Sequence, residues 1–225
     1  LIVLYSWALG LACQLDAAEE LANHLSRFLP APSATAQKSM LAQWLALSGI
    51  IARGRGQREL TLLYCSEALE SLPAKRYGQR LMCLSTLSNL AIADGDLWRA
   101  RGLNRESLEL AQRVGNPLFE ALAHYDRARV LQARGEILRS LDEVRQGLQR
   151  LHGLSPQRLY AVRARLILYE GFLLALRLQP QAARLRLQAG LSEARACRDI
   201  SVLIGHCVIA RLEGSSGEFA KAFAE

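Results

Sequence analysis

The 225-residue sequence predicts an all-α fold: an array of about six helix hairpins, an α–α superhelix. Three observations predict it. Apolar residues recur at intervals of three and four, and no two-residue alternation competes as a strand. Ala, Leu and Arg, which lose least on entering a helix, dominate, while aromatics make up only 6%. A short turn, Ala93-Asp94-Gly95-Asp96-Leu97, then recurs along the chain. Gly95 supplies the positive φ a chain needs on leaving a helix, and Asp96 can accept the first N–H groups of the next one.

With Gly95 as the reference, the equivalent turns lie at Cys13, Gly56, Gly135, Leu178 and Gly217, at successive steps of 43, 39, 40, 43 and 39 residues. A period near forty made of two helices is the signature of a helical repeat array. Positions not used to set this register test it. Five residues after each reference lie Ala18, Thr61, Ala100, Ser140, Ala183 and Ala222, and seven before it lie Ser6, Gly49, Ser88, Ala128, Gly171 and Ala210. All twelve are small, which suits a close helix crossing at one fixed point in every hairpin.

The elements follow in order. The first hairpin is Leu1–Cys13 and Asp16–Phe28, closed by Leu29-Pro30-Ala31-Pro32-Ser33. The second is Ala34–Ala52 and Arg58–Ser71, with Arg53-Gly54-Arg55-Gly56 as its turn and Pro73 beyond it. The third is Lys75–Asp94 and Asp96–Val114, stopped by Gly115-Asn116-Pro117. The fourth is Leu118–Arg134 and Ile137–Leu151, followed by His152-Gly153-Leu154-Ser155-Pro156. In the fifth, Gln157–Leu178 and Pro180–Arg198, Pro180 suits a first helical turn because its missing N–H is no loss there. The sixth is Ile200–Glu213 and Phe219–Glu225, whose Phe219, Ala222 and Phe223 share one face that a terminal repeat would ordinarily make polar. Further chain or a neighbouring molecule is expected to cover that face. No linker separates domains, so residues 1–225 read as a single domain. With Leu1 in place of a start methionine, the sequence is expected to be a piece of a longer polypeptide.

Composition narrows the function. The net charge of +7 and pI near 9.5 invite a nucleic-acid reading. The arginines, however, are spread through every segment among glutamates, without a run of five like charges, so they read as solvated helix faces. Cys13, Cys65, Cys83, Cys197 and Cys207 form no C-x-x-C pair and read as reduced core cysteines of a cytoplasmic protein, not as a disulfide frame or zinc site. The apolar stretches at Leu1–Leu15 and Leu166–Leu178 are too short or too interrupted to cross a bilayer. His24, His124, His152 and His206 show no paired metal spacing, and neither a phosphate-binding glycine loop nor a nucleophile elbow is present. Asp94 and Asp96 read as turn and cap residues. No catalytic, cofactor or metal site is expected in this segment.

What remains is the groove lined by the first helices. Positions ten, six and three before each turn are taken to face it. In the fourth hairpin these are Tyr125, Arg129 and Gln132, at i, i+4 and i+7 on one helix face. The third presents Ser85, Asn89 and Ile92, the second Ala46, Ile50 and Arg53, the fifth Leu168, Phe172 and Ala175, and the sixth Cys207, Arg211 and Gly214. Tyr125, Arg129, Gln132, Asn89, Ser85 and Arg211 are therefore the candidate ligand or partner residues. The two arginines point to an anionic or hydroxyl-rich partner.

The hairpins resemble the tetratricopeptide (TPR) type, and more narrowly the sensor region of the MalT-like, LuxR-type ATP-dependent transcriptional regulators of bacteria. The residues carrying the resemblance are Leu4-Tyr5-Ser6-Trp7-Ala8-Leu9 with Leu15-Asp16-Ala17-Ala18-Glu19, the Ala52–Gly56 turn, Gly95-Asp96-Leu97, the ELAQRVGNP stretch ending at Pro117, and LQARGE at Leu131–Glu136. Cys13 and Leu178 depart from the glycine rule of the turns. The resemblance implies a right-handed superhelical sensor domain that binds a small-molecule inducer or regulatory protein and controls self-association and promoter activation. It also implies that ATP and DNA are bound by separate modules of the full-length regulator. The alternative is a stand-alone TPR scaffold gripping a peptide or protein. A carboxylate clamp of that kind would want Asn at the Asn89 position in adjacent hairpins, where Ile50 and Arg129 stand instead.

Overall fold

The computed structural model describes residues 2–12, 14–27, 35–154 and 160–224. Its described residues form helices and turns, without a strand. The helices run α1 (Ile2–Leu11), α2 (Leu15–Ser26), α3 (Thr35–Gly54), α4 (Arg58–Ser71), α5 (Tyr77–Ala93), α6 (Leu97–Val114), α7 (Pro117–Ala133), α8 (Ile137–Arg150), α9 (Ala161–Leu176), α10 (Pro180–Cys197), α11 (Val202–Ser215) and α12 (Phe219–Ala224). They pair as the six hairpins anticipated from the period. Packing divides the chain into two compact units, Leu1–Val114 and Gly115–Glu225.

Turn chemistry explains the boundaries. Gly56, Gly95, Gly135 and Gly217 all sit at φ between 72° and 79°, the left-handed region the reference turn demands. Leu178 occupies the same position at φ 56° without being glycine. Its side chain is 88% exposed, so the turn is retained against a local backbone cost. Asp96 caps α6 by accepting the Arg99 N–H at 3.0 Å. Asn116, read as part of a stop, instead starts α7: its Oδ1 accepts from Leu118 N at 3.0 Å, with Pro117 as the first helical residue. The Cys13 turn, the Leu29–Ser33 and Ser155-Pro156 breaks, and the side chains of Phe219 and Phe223 lie outside the described residues.

The small residues do what the register requires. Ser6, Ala18, Gly49, Thr61, Ser88, Ala100, Ala128, Ser140, Gly171 and Ala183 are buried, while Ala210 and Ala222 in the last hairpin are partly exposed. Two hairpins show the contact directly. Ser88 Oγ donates to Ala100 O at 3.2 Å, and Ser140 Oγ donates to Ala128 O at 2.7 Å. Backbones so close leave no room for a side chain: a Cβ on Gly171 would lie 2.7 Å from Leu187.

Each unit has its own core. In the first it gathers Trp7, Ala42, Leu45, Leu47, Cys65 and Leu87 among others. In the second it centres on Leu141, Val144, Leu166, Leu168, Leu173 and Leu187. A second device joins successive hairpins within a unit: one first-helix side chain holds both its own second helix and the preceding one. Trp44 on α3 donates to Ala22 O of α2 at 2.9 Å and meets Tyr64 of α4 edge-on at 5.9 Å. Arg80 on α5 donates to Leu69 O and Leu72 O at the end of α4 and faces Glu106 of α6 at 3.6 Å. Glu170 on α9 takes Arg186 of α10 at 2.6 Å and lies 4.0 Å from Arg145 of α8.

The expectation of core cysteines needs correction. Cys65 and Cys83 are buried, but Cys197 is half-buried and Cys207 lies exposed on α11. Cys83 has its thiol pushed up by a hydrogen bond with Cys65 and by burial.

Candidate functional site

In the second unit, α7 and α9 bring together an aromatic and guanidinium cluster. Tyr125 lies on α7 one turn before Arg129, whose guanidinium carbon stands 5.8 Å over the Tyr125 ring, a cation–π distance. Tyr125 meets Tyr169 of α9 edge-on, with centroids 5.4 Å apart at 72°. Tyr169 continues to Phe172 at 5.6 Å, and its hydroxyl reaches Gln132 Oε1 at 3.5 Å. Tyr125, Arg129 and Gln132 thus share one surface, as their spacing indicates, and all three are partly exposed. Burial raises the phenols of both tyrosines above their ordinary range, with Arg129 opposing the shift in each. Both hydroxyls stay protonated near neutral pH, and that of the buried Tyr169 is directed at Gln132.

The remaining predicted residues are placed differently. Arg211 lies exposed on α11 of the same unit. Ser85 and Asn89 lie on α5 of the first unit, and Ser85 is only 7% exposed. Ala46 and Leu168 are buried as well, so the position ten residues before the turn serves packing in three hairpins, while Tyr125 and Cys207 keep access there. The reason is close approach: a Cβ on Gly190 of α10 would lie 2.7 Å from Leu168 Cγ.

Sequence reasoning missed Tyr169 and the ion pair beneath the cluster. Arg165 on α9 binds Asp199 through two bonds, Nε–Oδ1 at 3.1 Å and a second nitrogen to Oδ2 at 2.6 Å. Asp199 Oδ1 also accepts from Ser201 N at 3.0 Å. Burial pushes the Asp199 carboxyl up, but the bonds from Arg165 and Ser201 outweigh it and hold the group below its ordinary range. A period counted only at the turns carries no signal for a partner thirty-four residues away. Tyr169 was legible as a second first-helix aromatic beside Phe172.

His124 is buried, with Nδ1 2.8 Å from Glu143 Oε2, and Arg127 lies 3.2 Å from the other carboxylate oxygen. This is a core ion-pair network joining α7 to α8. Among the described residues there is no group of three potential metal ligands, and no helix long and apolar enough to cross a membrane.

The sequence matches no protein-family model and none of the curated proteins. Solved structures do match. The apo form of RapI superposes with a TM-score of 0.70 over 100% of this chain and 82% of its own, at 13% identity. BtubC (BKLC) from P. vanneervenii gives 0.62 over 95% and 86%, at 14% identity. The chain has a TPR-like helical fold. At such identities the likeness is one of fold alone.

Proposed function

We propose that this chain is a non-catalytic sensor and interaction domain that binds an anionic inducer, or an acidic segment of a regulatory protein, on its first-helix faces. The observation that carries the reading is a charge asymmetry. Of the fifteen positions taken as groove-facing in hairpins two to six, Ala46, Ile50, Ser85 and Leu168 are buried; of the other eleven, three are arginine and none is acidic, in a chain with 21 acidic residues. The nearby carboxylates Glu143, Glu170 and Asp199 are each engaged by arginine. Within the second unit Arg129 and Arg211 supply positive charge, Tyr125 and Phe172 supply ring faces, and Gln132 supplies an amide. That is the equipment for a carboxylate- or phosphate-bearing ligand with an apolar portion.

The architecture supports the same class, since helix-hairpin arrays present extended binding surfaces. On the resemblance to MalT-like regulators, we read the domain as the part of a cytoplasmic bacterial LuxR-type regulator that converts ligand binding into self-association and promoter activation. ATP and DNA would then be handled by other modules. A thermal-shift screen of carboxylated and phosphorylated small molecules and acidic peptides tests the proposal. Hits should stabilise the wild type and lose their effect in Arg129→Ala, whose own melting changes little, and in Tyr125→Ala, whose midpoint falls because Tyr125 packs against the second unit's core. Hits that stabilise both variants equally would move the site elsewhere.

A further inference from the structure

Cys65 of α4 and Cys83 of α5, in the first unit, share one place in the repeat. Cys65 lies nine residues after the turn at Gly56, and Cys83 lies twelve before the turn at Gly95. There the second helix of one hairpin meets the first helix of the next. The equivalent pair at the preceding seam is Ala22 and Trp44, whose ring nitrogen donates to Ala22 O at 2.9 Å. In the second unit the equivalents are Val144 with Leu166 and Leu187 with Gly205. Those positions carry residues that pack, whereas the seam between the second and third hairpins carries two thiols.

The surroundings hold the two sulfurs together. Both cysteines are fully buried in one core cluster, and their thiols hydrogen-bond to each other. Gly49 of α3 makes room for Cys65, since a Cβ there would lie 2.5 Å from its Sγ. Arg80, one turn before Cys83, fixes α5 against α4 through its bonds to Leu69 O and Leu72 O, both 2.9 Å. The bond with Cys65 and burial push the Cys83 thiol up, so it stays protonated and inert while the seam is closed.

We infer that Cys65 and Cys83 form a redox latch, a reversible disulfide that locks the second hairpin to the third. The oxidant is a small peroxide or disulfide, such as hydrogen peroxide or oxidised glutathione. As α4 and α5 part, one thiol loses its proton and attacks the peroxide O–O bond, giving a sulfenic acid and, with that proton, one water. The other thiol then attacks the same sulfur, the S–S bond forms and a second water leaves. Two thiols are oxidised and one peroxide is reduced. With oxidised glutathione the intermediate is a mixed disulfide, and each step releases one glutathione thiol. The product ties together residues eighteen apart across the seam, so opening it again requires a reductant.

Non-reducing tryptic mapping of the wild-type chain, after mild exposure to hydrogen peroxide or to oxidised glutathione, tests the latch. Residues 59–75 and 81–99 should be recovered as one linked peptide, which dithiothreitol parts. The oxidised chain should melt about 5–10 °C above the reduced one, and Cys83→Ser should lose both the link and the rise. Arg80→Ala, which frees the end of α4 from α5, should link at least fivefold faster, with circular dichroism verifying that it remains helical. Two thiols that stay free, a glutathione left on each sulfur, or a linked chain that melts no higher would overturn the proposal. Equal rates in the wild type and Arg80→Ala would overturn opening of the seam as its trigger.

Discussion

Eight residues before and after the turn, the third hairpin carries Leu87, in the core of the first unit, and Leu103, partly buried against it. At the same two positions the fourth hairpin carries Arg127 paired with Glu143, and the fifth carries Glu170 paired with Arg186. One place in the repeat is thus closed by an apolar pair in the third hairpin and by ion pairs of opposite polarity in the fourth and fifth. The comparison separates two layers of specification. The small residues at the crossing set how near the helices come, and no hairpin departs from them. The pair eight residues either side of the turn varies between apolar and ionic partners, because the crossing has already aligned them.

Substitutions that strike the crossing itself should therefore do most. Ala100→Leu in the first unit and Ala183→Leu in the second each force a large side chain into a fully buried contact, and each should cost about 1–3 kcal/mol. Thermal melts followed by circular dichroism would read the loss, and an unchanged midpoint would break the register. The outer position should respond less, and conditionally. Glu170→Arg alone should destabilise by about 1–2 kcal/mol, because it sets like charges against Arg186 and Arg145. Adding Arg186→Glu should recover most of that, as the natural polarity of the fourth hairpin does, and urea denaturation of the four-member cycle measures the coupling. If the double variant is no better than the sum of the singles, the two polarities are not interchangeable.

The Arg165–Asp199 pair gives a pH-dependent effect of similar size. Asp199 titrates below its ordinary 3.8 in the folded chain, so its contribution is complete above that value and fades as the pH falls through the lower folded value. Asp199→Asn should cost about 1–2 kcal/mol at pH 7 and progressively less toward pH 3, as followed by denaturation across that range. The smallest effect belongs to the turn that keeps its shape without glycine. Leu178→Gly removes a strained left-handed residue whose side chain packs on nothing, and should raise stability by about 0.5–1 kcal/mol.

The helices and their pairing were legible because turn glycines, caps and small crossing residues are local or periodic signals. Pro180 at the start of α10 and Asp96 at the start of α6 behave as their chemistry dictates. Leu178 was legible only through the spacing of its neighbours, since nothing in a leucine announces a left-handed turn. The site was half legible. The i, i+4, i+7 spacing put Tyr125, Arg129 and Gln132 on one face, but the assignment of Ser85 and Leu168 to a groove did not anticipate burial. Whether a first-helix position faces the groove or the next helix depends on rotation about the helix axis, which Gly190 and Gly205 set here by letting Leu168 approach. The ion pairs joining hairpins were not legible, because each requires knowing which of many arginines a folded neighbour brings within reach.

The reading of the second unit as an anion-binding surface rests on the arginines at its groove-facing positions, of which Arg129 stands over Tyr125. Calorimetric titration of the strongest hit from the thermal-shift screen, into the wild type and Arg129→Ala at two salt concentrations, tests it most directly. The expected result is at least tenfold weaker binding in the variant, a smaller salt dependence, and an unchanged melting temperature of the unliganded protein. Equal affinity and equal salt dependence in the two proteins would contradict it.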